Sequence, residues 1–243
     1  MKKFVINVVC TIFIFVSLFA FSIPAQSKGS GEVEMKAAYL LPKSSHGNVK
    51  VSSDSKRVAN DQNATYKYNG IHWNRTKIPV SYYINPQNSY SIDQIIANGT
   101  ISTAFDTWEN DPGSYMDYNY SGSTSLKGPI YDQKNTVSFQ SLNSSAVAVT
   151  YYWYYKNTRE LVEFDIVFNE KYPWSVTDSG NSYSFDLQNV ATHEIGHTLS
   201  LGDLYSTSTS ELTMYGYASF GEIKKRDLGL GDRLGIKRIY PLF

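Results

Sequence analysis

Phe185-Asp186-Leu187-Gln188-Asn189-Val190-Ala191-Thr192-His193-Glu194-Ile195-Gly196-His197-Thr198-Leu199-Ser200-Leu201-Gly202-Asp203 is the stretch that decides the fold. Leu187, Val190, Ala191, Glu194 and Ile195 fall at helical spacing, and Asp186 stands where an N-cap is expected, so the run predicts a helix through His197. Four residues apart on a helix, His193 and His197 share a face and can grip one metal ion, with Glu194 beside it. Two imidazoles and a third protein ligand leave a fourth position for water, whose pKa the metal lowers. A neighbouring carboxylate can then take its proton, which is the chemistry of peptide hydrolysis.

The third ligand has few candidates. Of the four histidines, His46 lies in a polar N-terminal stretch and His72 far upstream. Asp203 comes six residues after His197, a spacing that lets the chain leave the helix after one more turn and fold back under the metal. A carboxylate oxygen is an acceptable Zn²⁺ ligand at about 2.0–2.2 Å. The alternative is a Glu from a later helix, Glu211 or Glu222. Glu211 sits in a Ser/Thr-rich stretch close behind the first helix, and Glu222 follows Gly221 without an apolar helical pattern around it. The chain shows no internal repeat, phosphate loop or Ser/His/Asp set.

His193-Glu194-x-x-His197-x-x-Ser200-x-x-Asp203 resembles the extended zinc signature of the metzincin endopeptidases, HExxHxxGxxH/D, with Asp last as in the snapalysin group. Ser210-Glu211-Leu212-Thr213-Met214-Tyr215-Gly216 is similar to their Met-turn, in which Met214 would supply the hydrophobic base under the metal. Asp203-Leu204-Tyr205-Ser206 followed by Ser210-Glu211-Leu212 again resembles snapalysins. The outer blocks resemble bacterial matrixin-like proteases: Trp73 to Ile84 their first strand, and Ala104-Phe105-Asp106-Thr107-Trp108 their first helix. Phe164 to Asn169 resembles their strand ahead of the active-site helix, and Leu230 to Tyr240 their closing helix. The resemblance implies an α+β fold: a twisted mixed β-sheet with the active-site helix packed on it, a Met-turn and a C-terminal helix. It implies one catalytic Zn²⁺ on His193, His197 and Asp203, with Glu194 as general base and then proton donor to the leaving amine. Calcium sites are common in matrixins, but the Asp and Asn residues here form no recognisable loop, so none is assigned.

This chain departs from the family in two places. The Gly that lets the helix end in a sharp turn is Ser200, and a non-Gly residue with positive φ is uncommon, so Gly202 is expected to take over the turn. Some metzincins place a Tyr two residues after the Met to steady the oxyanion; that position is Gly216, and neither Tyr215 nor Tyr217 can be given the role from sequence.

Ala146 to Tyr155 reads as a β-branched and aromatic strand, and a turn at Lys156-Asn157-Thr158-Arg159 leads into Leu161 to Phe168, predicting a hairpin. By family analogy the strand nearest the active-site helix offers its edge to an extended substrate, and Phe164 to Asn169 is the candidate. The walls of the substrate pocket are not legible in the sequence. The aromatic run could instead form a carbohydrate-binding face. A secreted adhesin or carbohydrate-binding protein with a structural metal site is therefore the alternative to a protease.

Met1-Lys2-Lys3 followed by the apolar run Phe4 to Phe21 has the form of a signal peptide, with cleavage after Ser22 or Ala25. The run also approaches spanning length, so an uncleaved anchor is the alternative. The expected organisation is a signal peptide at 1–25, an N-terminal extension or short pro-segment at 26–66 and a catalytic domain at 67–243, secreted as a monomer without stable membrane association. The only cysteine, Cys10, falls within the signal run, so the mature chain would contain no disulfide. Removing Lys2 and Lys3 changes the balance from 22 basic and 22 acidic residues to 20 and 22, a formal charge of −2 that gives no reason to expect nucleic acid. The extension is rich in Ser, Lys, Asn and Gly, with one apolar patch at Ala37-Ala38-Tyr39-Leu40-Leu41-Pro42. It reads equally as a pro-segment over the cleft or as a flexible leader. His46, Asp54 and Asp61 are the candidates to cap a metal in a latent form.

Overall fold

A computed structural model describes residues 31–43 and 63–242. In chain order its strands are β1 (Val33–Pro42), β2 (His72–Trp73), β3 (Val80–Ile84), β4 (Tyr118–Ser123), β5 (Asn135–Gln140), β6 (Ala148–Tyr155), β7 (Glu160–Asn169), β8 (Trp174–Ser175), β9 (Phe185–Asp186) and β10 (Tyr217–Ala218). Its α-helices are α1 (Gln94–Glu109), α2 (Leu187–Thr198) and α3 (Leu230–Ile239). The expected signal peptide and His46, Asp54 and Asp61 lie outside the described residues. No described helix is long and apolar enough to cross a membrane.

Eight strands form a mixed sheet in the order β10-β1-β6-β7-β5-β3-β4, with β2 paired to one end of β7. β6 is antiparallel to both of its neighbours, and the other pairings in this sheet are parallel. The α+β class and the β6–β7 hairpin therefore agree with the sequence. Arg159 closes the hairpin turn at φ 63°. Period-two alternation along β7 sends Phe164, Ile166 and Phe168 into the main core. On that face the Phe105 ring of α1 lies 6.3 Å from Phe164 and stacks on Tyr82 at 3.8 Å.

One expectation is overturned. Phe164 to Asn169 is not an edge: β7 lies between β6 and β5, with ladders on both sides. Hairpin order alone does not fix an edge, because the parallel crossover from β3 to β5 brings another strand against β7. The strand whose outer side comes nearest the active-site helix is β6, and β1 pairs with that side.

α2 is held inside the molecule, with every residue but Gln188 buried. Its N-cap is as predicted: the Asp186 carboxylate accepts from Asn189 N at 2.8 Å. Arg226 grips the same carboxylate through two nitrogens, one at 2.9 Å from Oδ1 and the other at 2.5 Å from Oδ2. Two indoles fasten the helix through its carbonyls, Trp108 Nε1 donating to Thr192 O at 2.8 Å and Trp73 Nε1 to Thr198 O at 2.9 Å.

Candidate metal centre

α2 ends in a reversal that delivers the third donor. Leu201 N donates to Gly196 O at 3.1 Å and Ser200 N to His197 O at 2.9 Å, the paired bonds of a helix terminated by one left-handed residue. That residue is Ser200, at φ 71°; Gly202 has no positive φ, so the expectation that it takes over the turn is corrected. The 6→1 and 5→2 bonds fix which position must be left-handed, whatever residue occupies it. Beyond the turn, Leu204 N bonds Met214 O and Gly216 N bonds Leu204 O, both at 2.9 Å. These bonds lay the Asp203 segment alongside the Met214 turn.

The reversal brings Asp203 under both imidazoles. His193 Nε2 and His197 Nε2 lie 3.2 Å apart, and Asp203 Oδ1 is 3.2 Å from the first and 3.5 Å from the second. His193 Nδ1 lies 2.7 Å from Thr213 O, and His197 Nδ1 lies 2.8 Å from Leu201 O. A carbonyl can only accept, so each Nδ1 carries a proton and each ring turns its Nε2 inward. Two ring nitrogens and a carboxylate oxygen thus converge in a buried place, an arrangement that suits a cation. Among the described residues this is the one cluster of His, Cys, Asp or Glu able to hold a metal ion, and the donors suit zinc. Three donors leave a coordination position open.

Electrostatics follow from burial and proximity. Burial holds His193 below the usual imidazole range. Burial would lower His197 as well, but the Asp203 charge and hydrogen bond overcome it and carry the group to about 9. Burial would raise Asp203, but the two rings hold it well below the usual carboxylate range. Glu194 is pushed up to about 7 by burial, moderated by His197 and by a hydrogen bond from Thr150. Thr150 Oγ1 lies 2.5 Å from Glu194 Oε2, whereas the buried Oε1 has no hydrogen-bond partner among the described residues. One carboxylate oxygen is therefore anchored and the other is free to act.

Met214 lies beneath the helix, and Gly196 is what admits it. A Cβ on Gly196 would stand 2.2 Å from Met214 Sδ and 2.8 Å from Trp108 Cζ2. The Met214 turn is pinned from outside by two residues that sequence reasoning missed. Asp232 of α3 accepts from Thr213 N at 2.8 Å and Met214 N at 3.1 Å. Buried Lys225 donates to Tyr215 O at 2.9 Å. Thr150 and Tyr205 were missed as well. Tyr205 lines the same cavity as Asp203, and burial together with that carboxylate raises the phenol to about 12. Its place two residues after Asp203 was the available signal; Thr150, inside an aromatic strand, gave none. The alternative ligands lie elsewhere: Glu211 pairs with Lys224 at 2.9 Å, Glu222 lies 3.5 Å from Lys225, and His72 faces Tyr68.

A helix presenting two imidazoles and a carboxylate to one side, with the third donor delivered by its own C-terminal reversal, places this protein among the metalloproteases of metzincin type. More narrowly, residues 72–241 match the family model Peptidase_M10, Matrixin, and the chain belongs to that zinc-dependent family. No curated protein matches the chain.

Proposed function

We propose that the chain is a secreted zinc endopeptidase in which His193, His197 and Asp203 hold one Zn²⁺, Glu194 is the catalytic base and Met214 floors the site. The convergence of three donors beside the free Oε1 of Glu194 carries this reading. Zinc bound there supplies a Lewis acid that polarises the substrate carbonyl and acidifies water. Glu194 Oε1 accepts the proton of the attacking water and hands it to the leaving amine nitrogen, while Thr150 holds Oε2 so that Oε1 keeps its aim. Tyr205 keeps its phenolic proton and steadies Asp203 from the solvent side. The apolar run near the N-terminus supports export, with residues 1–25 removed and the chain recovered from culture medium.

Casein hydrolysis with and without a chelator, compared between wild type and Glu194→Gln, tests the reading. The variant keeps the size of the side chain but cannot take the proton. It should retain zinc and lose activity by roughly 10²–10⁴-fold. Hydrolysis at the wild-type rate would exclude the mechanism.

A further inference from the structure

At the turn end of the β6–β7 hairpin is a cavity of about 370 Å³, and none of the metal-site residues lines it. Alternation along β6 sends Tyr152 and Tyr154 into the main core and turns Trp153 and Tyr155 the other way. Tyr131, from the loop between β4 and β5, lies nearly parallel to Trp153 with ring centroids 5.8 Å apart, yet stays 46% exposed. The cavity lining includes the rings of Tyr131 and Tyr155 and the polar side chains of Asn74, Lys77, Gln133 and Glu160.

These groups are held in place by the fold. Buried Glu163 accepts from Asp132 N at 3.1 Å and from Gln133 N, and buried Asp165 accepts from Ile130 N at 2.9 Å, so the backbone on both sides of Tyr131 is tied to β7. Gln133 is kept left-handed at φ 65°, a conformation uncommon for a non-glycine residue and met most often where a site is pre-organised. Asn74 Nδ2 donates to Glu160 Oε1 at 2.6 Å, and Asn74 Oδ1 accepts from Thr76 N at 3.0 Å. Rings and polar groups thus face one space on rigid supports.

We propose that this cavity is a binding site for a neutral saccharide, in which Tyr131 and Tyr155 meet the apolar C–H side of a sugar and Gln133, Asn74 and Glu160 pair with its hydroxyls. A sugar hydroxyl both donates and accepts. The amides offer both roles, Glu160 accepts and Lys77 donates, so each hydroxyl that leaves water finds a partner. One lysine and one glutamate cancel, which leaves no net field to draw in a phosphate or a strongly charged chain. A peptide would need an open backbone ladder, but Tyr155 already pairs with Val33 and Glu160 with His72. The site stands whether or not the metal centre cleaves peptides.

Calorimetric titration of the full-length chain with neutral trisaccharides built from glucose, mannose, galactose or N-acetylglucosamine tests the proposal. At least one should bind with a Kd of about 1 mM or tighter. Tyr131→Ala removes the exposed ring and should weaken that binding by about 10-fold or more. Gln133→Gly removes the amide at a position whose backbone suits glycine, so it should weaken binding while melting temperature is kept, and it carries the test even if Tyr131→Ala fails to fold. Retention on the insoluble polymer of the same sugar, lost in the same variants, upholds the proposal with a polysaccharide chain as the source. Binding of the trisaccharide alone upholds it with a free oligosaccharide as the source. No binding by any of the four sugars, or equal binding by wild type and both variants, overturns it. Tighter binding of a glucuronic acid trisaccharide than of every neutral one, or displacement of the sugar by a casein-derived peptide from the wild-type cavity, likewise overturns it.

Discussion

The Thr150 hydroxyl reaches from the middle of β6 to Glu194, lying 2.5 Å from Oε2 and 3.1 Å from the backbone carbonyl of the same residue. A hydrogen bond to the ionised carboxylate favours that form, so Thr150 both orients the Glu194 carboxylate and keeps its pKa from rising further. Thr150→Val keeps a β-branched shape on the strand and deletes the donor. It should lower kcat by roughly 10-fold, a fraction of what a general base supplies, with little change in KM. The acid limb of the kcat–pH profile should move to higher pH. An unmoved limb would mean that Thr150 only packs.

Asp203 faces both imidazoles from a loop, not from the helix, so its side chain can be changed without disturbing α2. Asp203→Ala should weaken zinc binding by more than about 100-fold, beyond the loss typical of an outer-shell partner. Asp203→His should restore part of it, since nitrogen and carboxylate oxygen reach zinc at similar distances. Zinc content after dialysis against a weak chelator is the measurement. Full retention by Asp203→Ala would move the ligand elsewhere.

The helix, its Asp186 cap, the two histidines and Asp203 were legible because each depends on spacing along one short segment. The edge strand was not. Which strand is left at an edge depends on where β1 pairs with β6 and β5 with β7, contacts that join residues far apart in sequence and leave no local pattern. Thr150 escaped notice for the same reason, since its partner is 44 residues away. Gly196 was legible only as a variable position inside the motif. Its role becomes visible once Met214 and Trp108 are seen against its α-carbon.

Gly196→Ala should therefore destabilise the domain by about 1–3 kcal/mol, as overpacking does in a close-packed interior. Met214→Ala made alongside it should cost less than the two single changes added together, because the clash is partly with Met214 Sδ. Additive losses in chemical denaturation would show that the two side chains do not compete for one space.

Asp165 and Glu163 give the fold a pH dependence of its own. Asp165 accepts from Ile130 N and Thr136 N, both at 2.9 Å, and Glu163 from Asp132 N and Gln133 N. Burial pushes each carboxyl up to about 7. A folded pKa above the unfolded one means that the native state holds protons which the unfolded chain has released. The resulting stability is complete below the usual carboxylate range and is lost as pH rises towards about 7. Melting temperature should fall between pH ~5 and ~8, and Asp165→Asn should flatten that fall. Parallel slopes for wild type and variant would exclude Asp165 as a contributor.

Ser200 combines two unfavourable features at the point where α2 turns back towards Asp203. Its backbone is left-handed at φ 71°, a conformation that costs a non-glycine residue about 1–2 kcal/mol. Its side chain is fully buried, and Oγ has no hydrogen-bond partner among the described residues, a further loss of about 1–3 kcal/mol. Glycine removes both and gives back about 0.5–1 kcal/mol through the greater freedom of the unfolded chain. The sum favours the substitution, so Ser200→Gly should stabilise the domain by about 1–3 kcal/mol, or roughly 3–9 °C in melting temperature for a domain of this size. Zinc content should not change, because the bonds that shape the reversal run through backbone atoms. A lower melting temperature with zinc retained would mean that the Ser200 hydroxyl is satisfied in solution and that the turn tolerates its Cβ.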